Sequence, residues 1–182
     1  MKKTLFIFIL FFFLTTSRAH ADCKIRPFAA SYLQDLYKYT HGELSRPKLK
    51  INNGKLKAVD GPGTQPYGIG MSNKNYYLGA YTQGNKITIY SKIFKLHKKC
   101  DEQVKSKLRD MLAHEYTHYL DNYGVLSNLI HVSNSEETAI ISEHVLSRLV
   151  WGNIAMQYTR SLTPEEQNKA IVLRNFFIKN KQ

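Results

Sequence analysis

One stretch of the sequence, residues 100–123, constrains the fold and the chemistry of this chain more than any other. It contains no Gly or Pro, and apolar residues recur in it at helical spacing: Val104, Leu108, Met111, Leu112 and Leu120. It also contains the pattern His-Glu-x-x-His, formed by His114, Glu115 and His118. Residues four apart lie on one face of a helix, so the two imidazoles can point together. The stretch therefore predicts a helix that presents half of a zinc site, with a carboxylate beside it.

This pattern resembles that of the zincin metallopeptidases. The resemblance implies that His114 and His118 are zinc ligands and that Glu115 is the general base acting on a water at the metal. In zincins a strand commonly precedes the metal helix and runs along the substrate cleft, where its free edge can pair with an extended peptide. By this resemblance, residues 87–90 are the candidate for that strand.

A third ligand is expected, because catalytic zinc normally takes three protein ligands and a water. In the gluzincin branch of the zincins it is a Glu on the next helix, which leaves Glu136, Glu137 and Glu143 as candidates. One spacing known in that branch favours Glu137. The helical phase of residues 139–150, however, turns Glu137 away from the apolar face and puts Glu136 and Glu143 on its flank. We therefore choose Glu136, with Glu143 two turns on as a hydrogen-bond acceptor for a ligating histidine.

Three further observations bear on the third ligand and on the family. Glu136 begins Glu-Glu-Thr-Ala, which resembles the Glu-x-x-Ala around the third ligand of several gluzincins. His131 is the main rival, since some zincins use a third histidine. Ile140 stands where the thermolysin-like pattern has an Asp, so the resemblance is to gluzincins broadly and the subfamily stays open.

Residues 1–21 have the plan of a secretory signal peptide. Lys2 and Lys3 form a basic start, residues 5–14 are wholly apolar, and a small-x-small cleavage site ends at Ala21. The apolar run is shorter than the about 20 residues that a transmembrane helix needs. The sequence therefore predicts a periplasmic or secreted protein.

Residues 22–182 are expected to form a single domain with no transmembrane segment. Loss of Lys2, Lys3 and Arg18 with the leader lowers the formal charge from +12 to +9. This charge favours anionic partners such as an envelope polymer, and nothing beyond it points to nucleic acid. Solubility alone explains the charge equally well.

The mature chain contains two cysteines, Cys23 and Cys100. Export to an oxidising compartment favours a disulfide between them. Such a bond would tie the N-terminus of the mature chain to the start of the metal helix.

Periodicity and turn signals predict the remaining elements. They are a helix over 27–41, a hairpin over 48–59 that turns at Asn53-Gly54, strands over 76–81 and 86–90 joined by a turn at 83–85, and helices over 133–151 and 163–178. Capping boxes are predicted at Ser133 with Glu136 and at Thr163 with Glu166. The last helix is expected to bury Ile171, Val172 and Phe176 or Phe177. The predicted fold is α+β and zincin-like: a small sheet from about 47–90 packed on the metal helix, with flanking helices.

The predicted function is that of an exported zinc (Zn²⁺) metallopeptidase that hydrolyses peptides or proteins, as an endopeptidase rather than an exopeptidase. Tyr116, Tyr123, His144 and Tyr158 are all candidates for stabilising the oxyanion. The alternative is a basic envelope-binding or scaffold protein in which the metal is structural or absent. Replacement of Glu115 by Gln distinguishes the enzyme from the scaffold. The enzyme would lose activity while zinc stays bound, whereas the function of a scaffold would not change.

Overall fold

The computed structural model of the protein describes residues 23–40, 44–59, 76–94, 100–126, 129–130, 135–152 and 162–181. Its elements are, in order, α1 (Ile25–Thr40), β1 (Lys48–Asn52), β2 (Ala58–Val59), β3 (Tyr76–Tyr77), β4 (Ala80–Gln83), β5 (Lys86–Tyr90), a 3₁₀ turn (Ser91–Phe94), α2 (Glu102–Asn122), α3 (Ser135–Trp151) and α4 (Pro164–Asn180). Helices and a small three-stranded sheet share this part of the chain, which confirms the α+β class. The predicted leader, residues 1–21, and the rival ligand His131 lie outside the described residues.

The helix α2 is the centre of the core and contacts α1, α3 and β4. Its predicted apolar positions are all buried: Val104, Leu108, Met111, Leu112 and Leu120. The carboxylate of Asp101 accepts a hydrogen bond from the N–H of Val104 at 2.9 Å, which caps the first turn. At the other end Gly124 takes a φ of 72°, which favours glycine, and its N–H donates to the carbonyl of Asp121 at 2.8 Å.

The strand β5 is central in the three-stranded sheet, whose order is β1-β5-β4. β1 is parallel to β5 and β4 is antiparallel to it. Ile87 and Ile89 of β5 are fully buried, and in register they lie beside Leu49 and Ile51 of β1. The turn predicted between β4 and β5 is confirmed, and it includes Gly84 with a φ of 54°.

The hairpin predicted over residues 48–59 is wrong. β1 pairs with β5, while β2 pairs with β3 in a separate two-stranded sheet. The turn signal still acts locally, because the side-chain oxygen of Asn52 accepts a hydrogen bond from the N–H of Gly54 at 2.8 Å. Pairing with β5 lets Leu49 and Ile51 pack against the hydrophobic core. This gain in apolar burial outweighs the local preference for a hairpin.

The stretch 76–81, predicted as one strand, is divided into two strands that belong to different sheets. β3 pairs with β2, whereas β4 pairs with β5. The division falls at Leu78 and Gly79. The N–H of Leu78 donates to the carbonyl of Lys57 at 2.8 Å, and the carbonyl of Gly79 accepts from the N–H of Tyr90 at 2.9 Å. Such a switch of backbone partners leaves the alternation of side chains unchanged, so the sequence pattern does not reveal it.

The prediction that residues 87–90 form the cleft strand is also wrong. A cleft strand needs a free edge, and β5 has a neighbouring strand at each edge. All four of these residues are buried, and a strand buried on both faces belongs in the middle of a sheet. β4 is the strand that lies against α2 most extensively. Among the described strands, none pairs with the outer edge of β4.

The helices α1 and α3 are confirmed, with small shifts at their starts. α1 begins at Ile25, so that Pro27 lies within its first turn as predicted. α3 ends at Trp151, followed by Gly152 with a φ of 77°. The predicted cap Ser133 lies outside the described residues. No helix in the ranges described has the length and apolar composition to span a bilayer.

The helix α4 begins with the predicted capping box but buries a different face. Ile171 and Val172, predicted to be buried, are 56% and 46% exposed. The buried residues of the helix are Glu166, Leu173 and Phe177. Glu166 is buried as the acidic partner of the capping box, and Leu173 follows it two turns later on the same side. Phe177, which was predicted to be buried, lies on the same buried face as Glu166 and Leu173.

The predicted disulfide between Cys23 and Cys100 is confirmed. Their Cα atoms lie 4.9 Å apart, and the two residues are separated by 77 positions in the chain. Cys23 precedes α1 and Cys100 precedes α2, so the bond joins the N-terminal ends of the two helices.

Replacing both cysteines by Ser is expected to lower the free energy of unfolding on the order of 4 kcal/mol, because the bond restricts a long loop in the unfolded chain. Urea unfolding followed by circular dichroism measures the change. The denatured wild-type protein should show no reactive thiol. Two reactive thiols in the wild type would contradict the bond, and an unchanged unfolding midpoint in the variant would contradict its contribution.

Candidate metal centre

Two histidines of α2 form the base of the candidate site. His114 and His118 are one helical turn apart and lie on the same face, as predicted. Their ring centroids are 5.0 Å apart and the rings are nearly perpendicular, at 78°. Both side chains are partly buried, so each ring is held by its surroundings while one edge remains accessible.

Glu136, in the first turn of α3, completes a group of three potential ligands. Its Oε2 lies 3.3 Å from Nε2 of His114, and its Oε1 lies 3.3 Å from Nε2 of His118. One ligand atom from each residue can be chosen so that all three lie within 4.8 Å of one another. The Glu136 side chain is 67% exposed, so the group opens to solvent on that side. The structure thus brings together the three residues that the sequence singled out as ligands.

The chemistry of this donor set fits a metal ion. Two imidazole nitrogens and one carboxylate oxygen are donors that zinc accepts in catalytic sites. The other ring nitrogen of His114, Nδ1, lies 3.2 Å from Oε2 of the buried Glu143. A carboxylate on Nδ1 keeps a proton there and leaves Nε2 as the donor to a metal. Glu143 therefore lies where the sequence predicted a hydrogen-bond acceptor for a ligating histidine.

The electrostatics of the site indicate that it attracts a cation. Burial acts to lower the pKa of His114, but hydrogen bonds to Glu136 and Glu143 raise it to about 10. Hydrogen bonds from His114 and His118 hold the pKa of Glu136 well below its usual range. A proton on His114 thus occupies the position between ligand atoms that a metal ion would take, and metal binding would release that proton.

Glu115 lies beside the group but does not belong to it. Its side chain is buried, and its Oε2 accepts a hydrogen bond from the hydroxyl of Thr82 on β4 at 2.8 Å. Burial raises the pKa of the Glu115 carboxyl, against the opposing effects of His114 and Thr82. The sequence analysis did not find Thr82. A signal was present, since Thr82 alternates with Tyr81 and so places a hydroxyl on the face of β4 shared with Ala80, which is buried.

Glu137 is directed away from the site. Its carboxylate pairs with Lys169 of α4 at 3.0 Å, and Lys169 also pairs with Glu165 at 2.9 Å. This agrees with the helical phase, which put Glu137 off the face that bears Glu136. Of the candidates for the oxyanion role, Tyr116 is buried, and its hydroxyl accepts a hydrogen bond from Thr40 of α1 at 2.7 Å.

A second polar contact between α2 and α3 lies one turn away from the histidine group. Asp110 is buried, and one of its carboxylate oxygens lies 3.4 Å from the hydroxyl of Ser147. The other oxygen has no hydrogen-bond partner among the described residues. Burial, reinforced by the negative charge of Glu143, raises the pKa of Asp110 to about 8. Sequence reasoning missed this residue, because an Asp in a helix is ordinarily exposed.

Comparison of the whole chain with protein-family models, curated proteins and solved structures finds no match in any of the three. The geometry of the site and the pattern His-Glu-x-x-His are therefore the two observations that bear on function.

Asp110→Asn is expected to stabilise the protein increasingly between about pH 4 and pH 8. The pKa of Asp110 is higher in the folded protein than in the unfolded chain, so as the pH rises Asp110 ionises in the unfolded chain at a lower pH. The wild-type protein therefore loses stability as the pH rises through this window, and the Asn variant does not. Between pH 5 and pH 7.5 the advantage of the Asn variant should grow by about 3 kcal/mol. Urea unfolding of both proteins with the same chelator present measures it, and an equal pH dependence of the two would show that Asp110 ionises normally.

Proposed function

We propose that the protein is an exported zinc-dependent metallopeptidase with the active site described above. One observation supports this most strongly: Nε2 of both histidines and the carboxylate of Glu136 converge, and both histidines act electrostatically on the buried carboxyl of Glu115. Two histidines and a Glu are a ligand set of hydrolytic zinc sites. When bound, zinc would polarise a substrate carbonyl and lower the pKa of a water ligand to about 7.

Glu115 is the proposed general base. It would accept a proton from the attacking water and return it to the leaving amine. Burial raises the pKa of its carboxyl, and this direction suits both steps, because it moves the pKa from the acidic range toward neutral pH. Glu115 is one residue after His114 on α2 and is not one of the three candidate ligands. A general base must be close to the metal-bound water while its carboxylate stays free of the metal.

The proposed substrate is an extended peptide that lies along the outer edge of β4. This strand supports the proposal because it contacts α2, and its Thr82 reaches Glu115. A peptide paired with a strand edge through its backbone would continue in both directions past the site. Such binding favours an endopeptidase over an exopeptidase, and it replaces β5 with β4 as the proposed cleft strand.

The proposed location is the periplasm or the cell exterior. The basic and apolar pattern of residues 1–21 supports it. The bond between Cys23 and Cys100 supports it as well, since disulfides persist mainly in oxidising compartments.

Zinc titration of Glu136→Ala and Glu137→Ala tests the ligand set. Glu136→Ala should weaken zinc binding by at least about 10- to 100-fold, the range typical of losses even outside the ligand shell. Glu137→Ala is the matched control, because it also removes a carboxylate from the first turn of α3. The carboxylate of Glu137 pairs with Lys169 and is not directed at the histidines. Glu143→Ala should fall between them, since Glu143 orients His114 without holding the metal.

Two outcomes of this titration would contradict the proposed ligands. If Glu137→Ala loses zinc while Glu136→Ala keeps it, the spacing of the gluzincin branch decides the ligand and the helical phase does not. If Glu136→Ala, Glu137→Ala and Glu143→Ala all keep zinc and His131→Ala loses it, the site belongs with the three-histidine type.

Glu115→Gln is expected to abolish peptide cleavage while zinc stays bound. General-base catalysis contributes at least about 100-fold to the rate, and Gln cannot accept the proton. A mixed library of peptides read by mass spectrometry measures cleavage, and elemental analysis measures zinc. Glu137→Gln serves as the control for the loss of one carboxylate. Full cleavage by Glu115→Gln would exclude the proposed base, and zinc-loaded wild type without any cleavage would favour the scaffold alternative.

A further inference from the structure

The hydroxyl of Thr82 makes two close contacts with a single residue of α2. It lies 2.8 Å from the carboxylate Oε2 of Glu115 and 2.8 Å from the backbone carbonyl oxygen of the same residue. A hydroxyl has one proton, so it donates to one acceptor at a time and can exchange between them. The bond to Oε2 holds the Glu115 carboxylate against β4, whereas the bond to the carbonyl oxygen ties β4 to the backbone of α2.

The position of Thr82 is itself fixed by the sheet. Thr82 lies opposite Ile87 in the antiparallel pair of β4 and β5. Ile87 is fully buried, which anchors this point of the sheet in the core. Threonine is branched at Cβ, so few side-chain rotamers are open to it on a strand. The sheet therefore presents the hydroxyl to α2 from a rigid support.

A glutamate side chain has several rotatable bonds, and an unsupported carboxylate samples many positions. Proton transfer requires the accepting oxygen to stay within hydrogen-bond reach of the water, at about 2.6–3.2 Å. Thr82 holds one oxygen, Oε2, and does not engage the other, Oε1. Oε1 is then the oxygen left to accept the proton of the water.

We propose that Thr82 is a positioning residue that fixes the carboxylate of Glu115 for proton transfer in the peptidase reaction. This inference rests on the proposed function and deepens it. Thr82 acts through Glu115 and has no contact with the reacting atoms. The competing explanation is that Thr82 only ties the sheet to α2, in which case its loss would disturb folding, zinc content and substrate binding together.

The test compares four zinc-loaded proteins: wild type, Thr82→Val, Thr82→Ser and Thr88→Val. Val has the shape of Thr without the hydroxyl, and Ser restores the hydroxyl. Thr88 is the matched control, because it is a fully buried threonine on the neighbouring strand whose hydroxyl has no partner among the described residues. Cleavage kinetics, zinc content and the crystal structures of wild type and Thr82→Val are measured.

Thr82→Val should lower kcat by about 10- to 100-fold, the scale of loss caused by a misplaced catalytic group. KM should stay within about twofold and one zinc should remain bound, because the lost contact acts on the chemical step. Thr82→Ser should recover most of the activity, and Thr88→Val should behave as wild type. An unchanged kcat in Thr82→Val overturns the proposal. A loss of activity that is explained by lower zinc content or by a higher KM also overturns it. So does a loss of kcat that Thr82→Ser does not restore.

The crystal structures separate a failure of this inference from a failure of the proposed function. If zinc-loaded wild type cleaves no peptide, the peptidase function fails, and the position of Glu115 still decides the role of Thr82. A carboxylate that turns away in Thr82→Val supports positioning by Thr82. A carboxylate that keeps its wild-type position overturns it.

Discussion

The burial of α2 is the constraint on which the rest of the structure depends. A buried helix must find a partner for each polar side chain it bears, because an unpaired polar group in the core is costly. Here the partners come from three different elements. The pairs are Thr82 of β4 with Glu115, Glu143 and Ser147 of α3 with His114 and Asp110, and Thr40 of α1 with Tyr116. Two of these contacts, Thr82 with Glu115 and Glu143 with His114, therefore both join another element to α2 and shape the candidate site.

The charges around His114 link the packing of α3 to the binding of a cation. Glu115, Glu136 and Glu143 all act on this one histidine. Three carboxylates this close would repel one another, and a proton on His114 offsets only part of that repulsion. A divalent ion between Glu136 and the two histidines would offset more of it. Metal binding and the docking of the first turns of α3 on α2 are therefore expected to stabilise each other.

The features that the sequence predicted correctly depend on the period of one element or on composition. Helical phase put Glu136 and Glu137 on different faces of α3, and the chain has two cysteines that could pair only with each other. The features it missed depend on contacts between elements that are distant in the chain. The local sequence favours a hairpin at residues 48–59, yet β1 pairs in parallel with β5. That long-range pairing is stabilised only when the core has assembled around it. The hydrogen bond from Thr82 to Glu115 likewise forms only when the sheet packs against α2. No local sequence pattern predicts that packing.

The placement of Glu136, an exposed candidate ligand, has its own physical cause. Glu136 is largely exposed, and an exposed carboxylate on a helix end ordinarily moves among rotamers. Its neighbours limit that freedom by holding the helix. Glu137 joins the first turn of α3 to Lys169 of α4, and Glu143, two turns after Glu136, joins the same helix to His114 of α2. These two contacts fix the rotation of α3 about its axis. Glu136 is thus directed at the histidines by two residues that follow it on the same helix, while its exposure leaves the group of three open to solvent.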